Sequence, residues 1–190
     1  MVELDKIKTL AILGNIDSGK TNLAFYYMNS YNGTKQKVLY GYPIKKEGFI
    51  SVSCWSDLLK IKDSIIFIDE IQKHIRFSET HANHRFMEFI SLLSHRNNIL
   101  IFTTQISQFI TKGIEAFIDA WAFKRIDLET LKNGSRPKRI IQRLASTRKN
   151  EWVLDLEQNE FFEYSDKNEI GENTIKTFEN QNILKDWRDA

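Results

Sequence analysis

The sequence predicts an α/β fold of three layers, in which a mostly parallel central sheet lies between helices on both of its faces. Two observations predict it. Short apolar runs, rich in β-branched and aromatic residues, recur along the chain as expected for strands buried on both faces. Segments with helical spacing separate these runs, and such alternation is typical of a parallel sheet. The predicted strands are Lys8–Leu13, Lys37–Tyr42, Ser64–Ile68, Ile99–Thr104 and Ala120–Phe123.

The first two helices are predicted between these strands. A helix from about Gly19 ends before Asn32-Gly33, because this pair favours a turn. The inner face of that helix is predicted to consist of Leu23, Ala24, Tyr27 and Met28. A second, short helix runs through Leu58–Lys60, with Ser56 or Asp57 as its N-cap.

The later helices follow from the same spacing of three and four residues. The longer one is marked by Phe86, Phe89, Ile90 and Leu93, and it ends at Asn97-Asn98. A short helix near Ser107–Ile118 precedes the last predicted parallel strand.

The pattern changes after an Asn133-Gly134 turn. Trp152–Leu154 and Phe161–Tyr164 are separated by a polar segment and predict an antiparallel hairpin added to one edge of the sheet. We predict one domain over residues 1–190, with a core at about 8–125, a basic segment at 124–150, the edge hairpin at about 151–165 and a C-terminal helix at about 172–188.

Composition excludes several classes of protein. Hydrophobic residues make up 42% of the chain and charged residues 27%, as in ordinary globular proteins. Cys54 is the only cysteine, so no intrachain disulfide can form. No apolar run approaches about 18 residues, and no basic start precedes an apolar segment, so neither a membrane span nor a signal peptide is predicted. We therefore expect a cytoplasmic protein.

Charge divides the chain unevenly. Residues 1–150 hold 23 Lys and Arg against 14 Asp and Glu, whereas residues 151–190 hold 4 against 11. The segment 124–150 holds nine basic residues and only two acidic ones. Such clustering suits contact with a nucleic-acid backbone. A solvated loop partly neutralised by the acidic C-terminal part is the alternative.

One motif predicts a phosphate-binding loop. The residues Gly14, Asn15, Ile16, Asp17, Ser18, Gly19, Lys20 and Thr21 match G-x-x-x-x-G-K-[ST] directly after a predicted strand, and Asn22 continues into the helix. Backbone N–H groups of such a loop point inward at phosphates, and the following helix adds the positive end of its dipole. Lys20 is predicted to bridge the outer phosphates and the Thr21 hydroxyl to ligate Mg²⁺.

A pair of carboxylates completes the predicted chemistry. Asp69 and Glu70 directly follow the apolar strand Ser64–Ile68, 49 residues after Lys20. At the carboxyl end of a parallel strand they face the ligand-binding edge of the sheet. Asp69 is predicted to hold Mg²⁺ through its water shell, and Glu70 to orient and deprotonate the attacking water.

Further polar residues are candidates for contact with the γ-phosphate. Gln105, with Thr104 as second choice, ends the next strand, and it reaches the γ-phosphate if that strand lies between the first strand and the Asp69 strand. Simple strand-end capping is the alternative. An arginine from a neighbouring subunit often assists phosphoryl transfer. Arg96 is the first candidate for this arginine finger, followed by Arg85 and Arg125.

Together, these residues resemble the HerA/FtsK group of P-loop ATPases, most closely the small virus-encoded DNA-packaging ATPases and the ATPase domain of Zot-like phage assembly proteins. The likeness covers about residues 8–165. It is carried by Gly14–Thr21, Ile65–Glu70 with Gln72 after it, and the run Leu92–Gln105, in which His95-Arg96 precedes a strand ending in Thr-Gln.

The resemblance implies a RecA-like core that hydrolyses ATP with Mg²⁺. It also implies a homo-oligomeric ring, a pentamer or hexamer, that moves double-stranded DNA through its centre. In a virus the chain would act in the host-cell cytoplasm and contact capsid or portal components. The basic segment or pore-facing loops would then touch DNA. The absence of a predicted membrane span favours packaging over membrane-anchored extrusion.

Other functions remain open from the sequence. The first alternative is a Zot-like ATPase for phage assembly or export. The second is a small-molecule kinase, although the chain shows no clear arginine-bearing lid and Glu70 beside Asp69 suits water activation better. A switch GTPase is disfavoured because no Asn-Lys-x-Asp motif is present. A non-hydrolysing nucleotide-binding regulator would leave Glu70 without a role.

Overall fold

The computed structural model describes residues 2–42, 47–74, 80–105, 112–126, 156–165 and 176–179. Its strands are β1 (Thr9–Leu13), β2 (Gln36–Tyr40), β3 (Phe49–Val52), β4 (Ser64–Ile68), β5 (Ile99–Thr104), β6 (Ala120–Phe123), β7 (Glu160–Ser165) and β8 (Lys176–Thr177). Its α-helices are α1 (Lys20–Asn29), α2 (Trp55–Leu58), α3 (Thr80–Leu92) and α4 (Lys112–Glu115), and short 3-10 turns lie at Leu4–Lys6 and Ile71–Lys73.

The strands form one eight-stranded sheet in the order β3-β2-β4-β5-β1-β6-β7-β8. All neighbouring strands from β3 to β6 run parallel, and β7 and β8 are antiparallel to their neighbours. Strand β5 therefore lies between β1 and β4, with Ile12 opposite Thr103 and Ile66 opposite Leu100. This is the order on which the predicted position of Gln105 depended.

The two faces of the sheet carry two separate hydrophobic clusters. On one face, Ile12, Phe67 and Ile101 pack with the buried side of α1. On the other face, Ile66 and Phe102 pack with residues of α3. This arrangement confirms the predicted α/β fold with a mostly parallel sheet and helices on both faces. The continuous apolar runs are buried throughout, because each strand faces a helix layer on both sides.

The predicted strands of the core are confirmed with small shifts of their ends. The first helix is confirmed too, and its predicted inner face of Leu23, Ala24, Tyr27 and Met28 is fully buried. The short helix α2 starts earlier than predicted, and Cys54, not Ser56 or Asp57, is its N-cap. Helix α4 covers Lys112–Glu115, and residues 107–111 of the predicted Ser107–Ile118 helix lie outside the described residues.

The C-terminal part differs from the prediction. Strand β7 is antiparallel to β6, as an edge addition should be, but its predicted hairpin partner Trp152–Leu154 lies outside the described residues. Lys176–Thr177, predicted as part of a helix at 172–188, instead forms β8 against β7. The helix prediction is wrong there because Phe178 packs on Phe161, with ring centroids 5.8 Å apart. The remaining residues of that predicted helix, and residues 127–150 of the basic segment, are not described.

Among the described residues, none of the helices has the length and apolar character needed to cross a membrane.

Candidate functional site

The predicted site residues meet at one edge of the sheet. The loop Gly14–Gly19 follows β1, Asp69 and Glu70 follow β4, and Gln105 follows β5. Because these three strands are parallel neighbours, their carboxyl ends lie side by side. Residues far apart in sequence thus surround the start of α1.

The loop is fixed to the strands on both sides of β1. The Gly14 N–H donates a hydrogen bond to the Thr104 carbonyl of β5, 3.4 Å, and the Asn15 N–H donates to the Arg125 carbonyl beyond β6, 2.9 Å. Gly14 itself is needed for close packing. A Cβ at this position would lie 2.6 Å from the Lys124 Cβ and 2.7 Å from the Ser18 Oγ. The loop therefore passes too close to β6 for any larger residue.

Gly19 is constrained in two ways. Its φ of +87° lies in the left-handed region, and a Cβ there would lie 2.6 Å from the Gln158 carbonyl oxygen. Gln158 also donates a side-chain hydrogen bond to the Asp17 carbonyl, 3.1 Å. The turn before β7 thus rests directly against the loop.

Lys20 is the first residue of α1 and is only 6% exposed. Its ammonium donates a hydrogen bond to the Asn15 carbonyl, 2.5 Å, so the side chain folds back along the loop. Burial lowers the pKa of Lys20, and the negative charges of Asp69, Glu70 and Asp17 oppose that effect. The ammonium thus lies in a partly buried, acidic neighbourhood where a phosphate would find a strong donor.

Asp69 is the centre of a hydrogen-bond cluster. The Thr21 hydroxyl lies 3.2 Å from Asp69 Oδ2 and 3.3 Å from Oδ1. Tyr42 donates a hydrogen bond to Oδ2, and Thr103 donates one to Oδ1. Burial and the neighbouring Asp69 charge raise the pKa of the Tyr42 phenol, so the phenol stays a donor. Three hydroxyl groups therefore hold this carboxylate.

Glu70 has an unusual backbone and two side-chain partners. Its φ of +44° and ψ of +62° are left-handed, which is rare for a residue with a Cβ. Its N–H donates to the Thr103 hydroxyl, 2.7 Å. Its carboxylate accepts a hydrogen bond from the Gln105 amide and forms an ion pair with Lys73. Such strain is typical of positions where function fixes a side chain.

The oxygen atoms that the site offers to a metal ion fit Mg²⁺. Thr21 and Asp69 offer a hydroxyl and a carboxylate, and Mg²⁺ is commonly held by one or two carboxylates together with substrate phosphates and water. Among the described residues, no group of three or more His, Cys, Asp or Glu could hold a metal by itself. The Ser18 Oγ is also buried and finds no hydrogen-bond partner within the described part of the chain. The residues of the site therefore suit a Mg²⁺ ion that binds together with a phosphate ligand, since the described side chains do not form a complete metal site on their own.

Comparisons with solved structures place this arrangement in a known fold. The DNA-packaging ATPase B204 from Sulfolobus turreted icosahedral virus aligns over 95% of this chain and 100% of its own, with a TM-score of 0.60 and 17% identity. B204 from Sulfolobus turreted icosahedral virus 2, in complex with sulfate, aligns over 93% and 98%, with a TM-score of 0.63 and 17% identity.

The chain has the fold of the P-loop ATPases. A further structure with this P-loop ATPase fold is the cytoplasmic domain of the type VII secretion ATPase EccC from Thermomonospora curvata. It aligns over 95% of this chain and 25% of its own, with a TM-score of 0.61 and 10% identity. No protein-family model and no curated protein matches the sequence. The predicted resemblance is therefore confirmed by three-dimensional structure.

Most predicted site residues of this P-loop ATPase fold lie together. One edge of the sheet holds Lys20, Thr21, Asp69, Glu70 and Gln105. Among them, Gln105 contacts Glu70 directly. In the loop, Ile16 is 65% exposed. Thr104, the second choice after Gln105, instead accepts the Gly14 N–H through its backbone.

The three arginine candidates are scattered. Arg96 precedes β5 and pairs through its backbone with Asp63, which precedes β4, so it lies at the amino ends of the strands. A six-residue strand separates that end from the loop by about 20 Å. Arg85 lies exposed on α3. Arg125 has an exposed side chain beside the loop, where its carbonyl contacts Asn15.

Four residues of the site were not predicted. Tyr42, Thr103 and Lys73 contact the two acidic residues, and Lys124 lies behind the loop. Lys124 is completely buried, and its ammonium donates to the carbonyls of Glu157, Gln158 and Glu160. Thr103 alone carried a signal, as a polar residue at the end of a buried strand. The others are placed by tertiary contacts that no local pattern encodes.

Proposed function

We infer that this chain binds Mg–ATP through Gly14–Thr21 and hydrolyses it to ADP and phosphate. The observation that carries this proposal is the meeting of Lys20, Thr21, Asp69 and Glu70 at one edge of the sheet. A cationic loop and an acidic pair are the two halves of a site for a metal-bound triphosphate. ATP as the nucleotide is supported by B204 of the second virus, whose structure was solved in complex with ATP-gammaS.

Each residue has a defined task in this proposal. The loop N–H groups and the Lys20 ammonium bind the β- and γ-phosphates. Glu70 accepts a proton from the attacking water, and Gln105, which donates to Glu70, helps to orient that carboxylate toward the water. Thr21 and Asp69 would hold Mg²⁺, which when bound neutralises charge on the phosphates.

The proposed use of hydrolysis is movement of double-stranded DNA during viral genome packaging. B204 from the first virus is a DNA-packaging ATPase, and the alignment spans its whole chain. The excess of basic residues in 124–150 provides charge for contact with DNA phosphates. In a virus, this activity belongs in the host-cell cytoplasm and meets capsid or portal components.

A homo-oligomeric ring is part of the same proposal. Arg96 lies at the amino ends of the strands, about 20 Å of sheet away from the loop of its own chain. It can reach a bound nucleotide only in a neighbouring subunit, as an arginine finger supplied in trans does. A pentamer or hexamer would offer one such contact at each interface.

The decisive test is ATPase activity with and without double-stranded DNA, combined with the mass of the oligomer. We expect release of free phosphate, stimulation by DNA that falls as salt is raised, and a particle of five or six subunits. Phosphate release without any response to DNA would overturn the motor and favour an assembly or export ATPase. Transfer of phosphate to a small molecule, without free phosphate, would overturn hydrolysis in favour of a kinase.

A further inference from the structure

Neither carboxylate oxygen of Glu70 is open to water in this structure. Oε1 accepts a hydrogen bond from the Gln105 amide. Oε2 is buried from solvent and forms an ion pair with the Lys73 ammonium. A general base has to present a free lone pair to the water whose proton it takes. The carboxylate that is proposed to act as the base is therefore closed in this conformation.

The side chain of Lys73 is the group that can open it. This side chain is 69% exposed, whereas the side chain of Glu70 is only 20% exposed. A lysine carries its ammonium on a flexible four-carbon stem, so it can leave one position for another at little steric cost. Lys73 is thus a movable side chain that lies over a largely buried carboxylate.

The backbone that carries both residues is fixed. The Lys73 N–H donates a hydrogen bond to the Glu70 carbonyl, 2.7 Å, and the His74 N–H donates one to the Ile71 carbonyl, 3.0 Å. The Glu70 N–H donates to the Thr103 hydroxyl of β5, 2.7 Å. Because these bonds close the turn and anchor it to the sheet, Oε2 can be uncovered by movement of the Lys73 side chain alone.

Another ion pair of the chain has the same spacing but a different environment. Lys60 and Asp57 are also three residues apart, at 3.1 Å, and the Asp57 side chain is 60% exposed. Ion pairs between exposed groups contribute little, because water screens both charges. The Glu70 oxygen is withdrawn from water, so its attraction to Lys73 is screened less.

We propose that Lys73 is a positioning residue that covers the base and thereby slows hydrolysis. Water can meet Glu70 Oε2 only in those molecules in which the Lys73 ammonium has moved away. The observed rate is then reduced to the fraction of molecules that are uncovered, as for any state that is only partly populated. This inference rests on the proposed hydrolysis of ATP, with Glu70 as its base.

Removal of the ammonium should speed up the hydrolytic step. Lys73→Met keeps a long, flexible side chain but loses the charge. Single-turnover hydrolysis, with the full chain in excess over ATP and with Mg²⁺ present, measures this step without product release. We expect its rate constant to rise about two- to fivefold, the factor that corresponds to the upper part of the range for ion pairs with an exposed partner.

Three further variants show whether the gain comes from uncovering Glu70. Lys73→Arg retains a cation and should hydrolyse ATP more slowly than Lys73→Met. Lys60→Met removes the matched surface pair with Asp57 and should leave the rate unchanged. Lys73→Met combined with Glu70→Gln should be no faster than Glu70→Gln alone, since the effect requires the carboxylate.

The other outcomes overturn the inference in distinguishable ways. An unchanged or lower rate in Lys73→Met refutes the covering role while leaving ATP hydrolysis intact. A gain that survives in the Glu70→Gln background shows that Lys73 does not act through Glu70. If the unmodified chain releases no phosphate, hydrolysis itself is refuted, and the role of Lys73 with it.

Discussion

Tyr42 donates a hydrogen bond to the same carboxylate of Asp69 that the Thr21 hydroxyl contacts. Tyr42 follows β2, so this contact joins a fourth strand end to the site formed by β1, β4 and β5. Its ring stacks on Phe67 at 5.9 Å, with 21° between the planes. A side chain that packs on the core thus helps to orient the carboxylate that is proposed to hold Mg²⁺.

Removal of that hydroxyl should loosen Asp69. Tyr42→Phe keeps the stacked ring but loses the hydrogen bond, and loss of such an outer partner typically weakens metal binding about 10- to 100-fold. We expect the Mg²⁺ concentration at half-maximal ATPase activity to rise about tenfold. Thermal stability should change little. An unaltered Mg²⁺ requirement would mean that Tyr42 only packs.

Glu70→Gln separates binding from turnover. Glutamine keeps the shape of Glu70 but cannot accept a proton, so ATP should still bind while kcat falls about a hundredfold or more. Equilibrium binding and phosphate release measured on the same preparation check both parts. Normal hydrolysis by this variant would show that the assignment of the base is wrong.

Lys20→Ala should lose both binding and turnover. Each hydrogen bond to a charged group contributes about 1.5–3 kcal/mol, and Lys20 is proposed to contact two phosphates. We expect the Kd for ATP to rise at least about a hundredfold in a binding titration. The exposed Lys6, which pairs with Glu3 on the surface, provides the control Lys6→Ala. Equal affinity of the two variants would contradict the predicted role of Lys20.

Two glycines separate backbone strain from steric contact. Gly19 and Gly48 have similar left-handed angles, φ of +87° and +83°, but only Gly19 would place a Cβ against another atom within 4 Å. Gly48→Ala should cost about 1–2 kcal/mol of unfolding free energy, the conformational penalty alone. Gly19→Ala should cost at least about 1 kcal/mol more.

Chemical denaturation of both glycine variants measures this difference. Gly19→Ala should also weaken nucleotide binding, since the displaced Gln158 turn contacts the loop. An equal loss of unfolding free energy in Gly19→Ala and Gly48→Ala would show that the Gln158 turn can move aside at no energetic cost.

Lys124 should give the chain a particular pH dependence of stability. Burial lowers its pKa from 10.5 to about 7. Between these values the unfolded chain holds the extra proton, so the free energy of unfolding should rise with pH, by up to about 1.4 kcal/mol per pH unit from this residue. Below pH 7, Lys124 is protonated in both the folded and the unfolded chain, so its contribution to the free energy of unfolding no longer changes with pH.

The variant Lys124→Met should lose this slope, whereas the exposed Lys60→Met should keep it. Denaturation curves at several pH values between 7 and 10 provide the measurement. A slope that survives in Lys124→Met would have to come from other groups.

The core of the fold could be predicted from the sequence because its strands are buried on both faces. Ser64–Ile68 and Ile99–Thr104 are continuous apolar runs. A strand of this composition is stable in water only when both of its faces are buried, as in the centre of a parallel sheet. Strand β3 was not predicted, since Phe49–Val52 lies at an edge of the sheet with half of its residues exposed. The sequence predicts a helix where β8 lies, because only the pairing with β7 decides the conformation of Lys176–Thr177.

The site was predictable to the same extent. The loop motif and the acidic pair belong to single segments, so Lys20, Asp69 and Glu70 follow from local sequence and strand order. The contacts of Tyr42 and Lys124 each join segments that lie far apart along the chain. The periodicity of the sequence cannot predict contacts between distant segments, so these contacts are visible only in the folded chain.

The partners of Lys124 also define how much chain the phosphate loop needs. All three carbonyl acceptors of its ammonium come from residues 157–160, and the ring beneath it belongs to Phe178. A fragment that ended at Ile126 would keep Lys124 but lose all of these partners, and the ammonium beside Gly14 would be uncovered. The packing behind the phosphate loop therefore includes residues as far along the chain as Phe178, well past the last parallel strand.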